Sequence, residues 1–172
     1  MENILGSIEK SLLQKNWYAA LILCLVLPDI CAKLEGSTES SSQRYPKWFE
    51  KYMGSKYKDY LSGKDSYALR CAVLHEGISN IEKQKAKEVL DIFAFISDGA
   101  HLTKFSNCYF GDSRYDGKEF LQLSVKKFCT DFVEAARTWL RDQPSNKDFT
   151  DMIEIHEGDL RIGGINIKSM NT

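Results

Sequence analysis

Arg70 and His75 are the residues of this 172-residue chain whose types and spacing are best suited to chemistry. Histidine is the side chain whose ordinary pKa lies closest to neutrality, so His75 can take a proton from one group and give it to another. Arginine carries a permanent charge and a fork of donors that fits a phosphate and the charge that builds up on it during transfer. Together they suit a phosphodiester. The histidine accepts the proton of a ribose 2′-hydroxyl or supplies one to the leaving 5′-oxygen, while the arginine holds the oxygens on phosphorus. Intramolecular attack by the 2′-hydroxyl needs no metal and leaves a cyclic phosphate. Five positions along one helix set two residues about 140° and 7.5 Å apart, so a single helix does not focus the pair well. A second copy of the helix packed against the first would bring both residues to one cleft.

Other chemistry finds less to build on. The chain has three histidines, His75, His101 and His156, and contains no P-loop, no glycine-rich dinucleotide turn, no Gly-x-Ser-x-Gly and no His-Glu-x-x-His. Cys71 lies four residues before His75 and shares a helix face with Tyr67, which suggests a thiolate–imidazole pair or half of a metal site, but no further ligands accompany them. Five cysteines, Cys24, Cys31, Cys71, Cys108 and Cys129, form no Cys-x-x-Cys pair and read as thiols of a reducing, cytoplasmic compartment. A purely structural reading of the pair also stands: His75 complements the negative end of a helix dipole, and Arg70 pairs with Asp65, Glu76 or a remote carboxylate.

The elements that must position these residues follow from periodicity and caps. Residues 17–27 are the most apolar run, eleven residues against the roughly 20 needed to span a bilayer. The run reads as part of a central core helix from the Asn16 cap to about Lys33, bent by Pro28 and ended by Gly36. No membrane partner is expected. Residues 36–43 form a solvated loop, and 45–53 a short amphipathic helix with Gly54 past its end. The helix carrying the pair runs from a cap at Asp65 or Ser66 to a stop at Gly77. Residues 90–96, 102–110 and 118–123 read as three strands of a small antiparallel sheet, the last two joined through the Asp116-Gly117 turn. In the strongly periodic helix that follows, Val125, Phe128, Cys129, Phe132, Val133, Ala136, Trp139 and Leu140 face inward, while Lys126, Lys127, Asp131, Glu134, Arg137 and Arg141 face out. Residues 152–167 suggest a terminal hairpin. Helices, then strands, then a helix argue for α+β and against repeated βαβ units.

The segment 67–77 (YALRCAVLHEG) resembles the R-x4-6-H signature of the HEPN superfamily, helical domains that include metal-independent ribonucleases of toxin–antitoxin, abortive-infection and CRISPR systems. The residue after the arginine, often polar in that family, is Cys71. The resemblance covers the helical half, roughly 17–77 plus a later helix such as 125–140, and, with the β elements that the pattern gives, it leads to a single, predominantly helical α+β domain: a HEPN-like bundle with its helical core at about 3–77 plus 124–142 and β elements at about 89–123 and 152–167. It further implies a homodimer with Arg70 and His75 as catalytic residues, no metal or other cofactor, RNA as substrate, and an antitoxin or other protein as partner. The alternative from another class is a catalytically inert HEPN-like module that binds a protein, nucleotide or RNA.

Net charge is −1, but it is unevenly spread: residues 1–43 carry −2, 44–87 carry +5 and 88–172 carry −4. The positive third holds the motif. Its lysines, Lys58 and Lys64 among them, stand between Tyr45, Trp48, Tyr57, Tyr60 and Tyr67, an interleaving suited to single-stranded RNA. Lys58, Lys64 and Tyr67 are the candidate RNA contacts. The simpler reading puts these aromatic residues in the core and the lysines in water, and it is the favoured one.

Overall fold

The most apolar stretch of the sequence becomes the helix on which the others pack. The computed structural model describes residues 1–145, 147, 149, 152, 153 and 155, together with the backbone of 160–162 and 165–167. Its elements are α1 (Glu2–Leu13), α2 (Trp17–Glu35), α3 (Ser41–Tyr52), α4 (Gly54–Tyr57), α5 (Gly63–Glu76), β1 (Ile92–Ile96), β2 (Thr103–Phe105), β3 (Phe120–Ser124), α6 (Val125–Arg141), β4 (Leu160–Ile162) and β5 (Ile165–Ile167). The class is α+β, mainly helical.

Helix α2 starts where the Asn16 side chain accepts from the Ala19 N–H and stops at Gly36, whose φ of 107° only glycine adopts freely. At 19 residues it is longer than the apolar run that marks it, and by length and composition it could cross a membrane. Its apolar surface has another use. Cys24, Leu25, Leu27 and Cys31 are fully buried, and α1, α3 and α6 pack against it. The thiols of Cys24 and Cys129 meet at 3.2 Å in the α2–α6 contact, and burial raises the Cys24 pKa, so both serve as small apolar fillers. The helix continues through Pro28.

Two starts differ from the sequence reading. Helix α3 begins at Ser41, because Ser40 and Gln43 form a capping box ahead of the aromatic stripe. Helix α5 begins at Gly63 and is capped by Ser62, whose hydroxyl accepts from the Asp65 N–H at 3.1 Å. Asp65, expected as the cap, is instead buried and accepts from the backbone N–H groups of Glu88, Val89 and Leu90. It thereby fastens the segment leading into β1 against α5. Gly54, expected beyond the end of a helix, opens α4.

The small sheet is mixed rather than antiparallel. Its order is β1-β3-β2, with β1 parallel to β3 and β2 antiparallel to it. Strand β2 stops at Phe105 rather than running to 110, so a loop over 106–119 replaces the expected tight connection; within it Asp116 accepts from Phe110 N and Gly117 N donates to the Cys108 carbonyl. Strand direction in β1 is what periodicity could not reveal, since side chains alternate identically in either direction. Ser124 ends β3 and also caps α6, its hydroxyl accepting from Lys127 N. The terminal hairpin is narrower than expected, β4 pairing antiparallel with β5.

Candidate functional site: an arginine–histidine pair on a buried aspartate

Helix α5 presents Arg70 and His75 at its C-terminal end, where Gly77 adopts φ 69° and its N–H and that of Ile78 bond to the Val73 and Ala72 carbonyls. The 140° between the two Cα positions does not keep the side chains apart. The long arginine reaches along the helix, and its Nη1 lies 3.4 Å from His75 Nε2. Guanidinium nitrogens only donate, so this contact requires a lone pair on Nε2 and leaves the proton of a neutral ring on Nδ1. His75 is exposed, whereas the Arg70 side chain is 19% exposed.

The other side of the guanidinium is anchored. Arg70 Nη2 lies 3.3 Å from Oδ2 of Asp29, a nearly buried carboxylate on α2. Asp29 also receives Arg44 Nε at 3.0 Å and the Ser41 hydroxyl, both from α3. The remote carboxylate anticipated as one partner of Arg70 is therefore Asp29. Two guanidinium groups share one carboxylate, so the cluster is net positive before His75 is counted. Arg70 Nε is buried and has no hydrogen-bond partner among the described residues. The guanidinium carbon also stands 5.9 Å from the centre of the Tyr67 ring, which packs at 5.5 Å on Tyr45. Burial and the neighbouring Cys71 thiol raise the Tyr67 pKa.

The candidate RNA contacts are not brought to this pair as a set. Lys64 is exposed and pairs with Glu88 at 2.9 Å, and Lys58 is exposed beyond the end of α4. Tyr67 touches Arg70 as described. Tyr45, Trp48 and Tyr57 are buried and build core, Tyr67 is half-buried, and of the interleaved aromatic residues Tyr60 is exposed. Cys71 lies 3.9 Å from Arg70 Nη1 and is half-buried. Among the described residues no cluster of three metal-binding side chains occurs.

A second polar centre lay hidden from sequence reasoning. Asp131, expected to point outward from α6, is buried and accepts from the Tyr57 hydroxyl at 2.7 Å and from Lys56. Tyr57 also meets His101 Nε2 at 3.1 Å, while His101 Nδ1 accepts from the Ser124 N–H at 3.2 Å. That last bond fixes the tautomer: Nδ1 is the acceptor, Nε2 carries the proton and donates to the Tyr57 oxygen, and Tyr57 donates onward to Asp131. Burial opposes ionisation of Asp131, but the His101 ring at 3.7 Å and donation from Lys56 and Tyr57 outweigh it and hold the carboxyl below its usual range. Burial and the Asp131 charge push the Tyr57 phenol well up. The polar atoms of this His101–Tyr57–Asp131 relay all have partners, so the relay joins α4, β3 and α6 instead of offering a reactive group. His156 lies outside the described residues.

The fold and the pair define an α+β protein with an arginine–histidine dyad at a helix terminus. No protein-family model, curated protein or solved structure matches this chain.

Proposed function

We propose that the chain is a cytoplasmic, HEPN-like, metal-independent endoribonuclease of the defence or stress-response type, acting as a homodimer through Arg70 and His75. The observation that carries this reading is the 3.4 Å approach of Arg70 Nη1 to His75 Nε2 on an exposed helix terminus. Asp29 fixes one edge of the guanidinium, so the other edge is pre-oriented. An RNA phosphate drawing Nη1 onto its oxygens releases the Nε2 lone pair. His75 then removes the 2′-hydroxyl proton, the 2′-oxygen attacks phosphorus, and the 5′-oxygen leaves with a proton returned by an imidazolium, giving a cyclic phosphate. His75 of a second copy is the natural donor of that proton. An antitoxin or other protein that covers the same helix end would silence it.

The Arg70–Asp29 pair favours a second reading, the inert HEPN-like binding module, in which Arg70 ties α5 to α2 and performs no chemistry. Incubation with RNA in EDTA separates the two. Cleavage that persists in the chelator, yields cyclic phosphate ends and falls at least about 100-fold in His75→Ala is expected for the nuclease. Equal cleavage by wild type and His75→Ala excludes the site. Binding of RNA without cleavage by the wild type selects the inert module.

A further inference from the structure

Arg44 meets Asp29 much as Arg70 does. One carboxylate takes Arg44 Nε on Oδ1 at 3.0 Å and Arg70 Nη2 on Oδ2 at 3.3 Å, so the two guanidinium groups stand on either side of it. Resting on the nuclease reading above, we infer that Arg44 is a second phosphate-holding residue of the site, and that the phosphate it takes is the one next to the scissile linkage along the strand. Each guanidinium is anchored through one part and open at another. Arg70 keeps Nη1 for His75. Arg44 spends Nε on Asp29 and Nη1 on the Glu39 carbonyl at 2.9 Å, and keeps Nη2, which has no partner among the described residues. A guanidinium stays charged at any working pH, so this open nitrogen is a fixed cation across Asp29 from the dyad.

The surroundings of Arg44 form a place for such a group. It lines a groove of about 300 Å³ between the end of α2 and α3, together with Lys47 and Lys51. Positions 44, 47 and 51 share one helix face, with steps of about 4.5 and 6 Å along the axis of α3. Trp48 lines the same groove, and its Nε1 is buried with no partner among the described residues, a donor that no protein acceptor meets. An oxygen-rich ligand suits a groove whose free groups are donors and cations.

Charge points the same way. Lys47 pairs with Glu39, and Lys51 with Glu35 at 3.4 Å, surface pairs of the kind that exchange readily for other anions. Arg44, Lys47, Lys51 and Arg70 are four cations against the three carboxylates Asp29, Glu35 and Glu39, so one positive charge is left over. A structural tie does not need it. The Ser41 hydroxyl already joins α3 to Asp29, and Arg70 joins α5 to it, so what Arg44 adds to the carboxylate is charge and an open donor.

Binding of 2′-O-methyl dinucleotides, which hold one phosphodiester and cannot be cut by 2′-hydroxyl attack, tests the second site apart from the chemistry. Three forms are titrated by NMR: the plain dinucleotide, and the same with a further phosphate at its 5′ or its 3′ end. Wild type is expected to bind one of the two end-phosphorylated forms at least about tenfold more tightly than the plain one. Arg44→Gln, and Lys47→Glu at a side chain that is 67% exposed, are each expected to cut that ratio to about threefold or less. A merely structural Arg44 would lower both affinities together and leave the ratio. A wild-type ratio near one, or a ratio that survives in both variants, overturns the second phosphate site even if RNA is still cut in a His75-dependent manner. Cutting that proves independent of His75, with the ratio and its loss in the variants intact, overturns the nuclease and leaves the phosphate site.

Discussion

Asp131 carries more structural weight than any other carboxylate of α6, and substitution measures it directly. Asp131→Ala leaves the buried Tyr57 hydroxyl and the His101–Tyr57 bond without a terminus, so a loss of about 2–3 kcal/mol is expected in urea unfolding. Adding Tyr57→Phe removes the orphaned hydroxyl and is expected to recover part of that loss, a coupling of the two residues of about 1 kcal/mol or more. Additive losses would dissolve the network into separate contacts. The sequence placed Asp131 among outward charges because α6 has one dominant apolar face, and nothing local signals partners 74 residues back in Tyr57 or 30 back in His101. The same blindness hid Asp29. Arg70 and His75 were legible because their relation is a spacing within one helix, whereas Asp29, Ser41 and Arg44 join them only through the packing of α2, α3 and α5.

At the scale of elements, caps and periodicity were informative where a segment's partners are its own neighbours. Asn16, Gly36 and Gly77 delimit helices as local rules require, and the inward face of α6 is buried from Val125 to Trp139. What failed was relational: the direction of β1, and the approach of α5 to α3. Gly63 stands where that approach is tightest, since a Cβ there would meet the Pro46 carbonyl oxygen at 2.6 Å and Pro46 Cα at 2.8 Å. Both are backbone atoms and cannot swing aside. Gly63→Ala is therefore expected to destabilise by about 1–3 kcal/mol although alanine is the better helix former. Gly6, inside α1, has nothing within 4 Å of its Cβ position, and Gly6→Ala is expected to stabilise by about 0.5–1 kcal/mol. Opposite signs in thermal unfolding distinguish a packing effect from a propensity effect. A stabilising Gly63→Ala would refute the close contact.

For the whole molecule, the titratable groups set a window of stability whose two limits have different origins. On the acid side, Glu9 is held low by the Arg137 fork and Glu88 by Lys64, while Asp131 is held low by its donors against the cost of burial. A carboxyl whose pKa is lower in the folded chain binds fewer protons there than in the unfolded chain. Its contribution is complete above the ordinary carboxylate range near pH 4 and is lost as pH falls through the folded value. On the alkaline side burial raises the thiols of Cys24 and Cys31 and the phenols of Tyr45 and Tyr57. These groups keep their protons when folded, so stability is complete below the unfolded thiol and phenol values of about 8.5 and 10, and falls as pH rises beyond them. The urea midpoint is expected to be level between about pH 5 and 8 and to decline on either side. Because the alkaline limb comes from core groups, Tyr57→Phe should shallow it beyond pH 10 and leave its onset near pH 8.5, where only the thiols titrate. A midpoint that keeps rising above pH 9 would contradict burial of all four groups together.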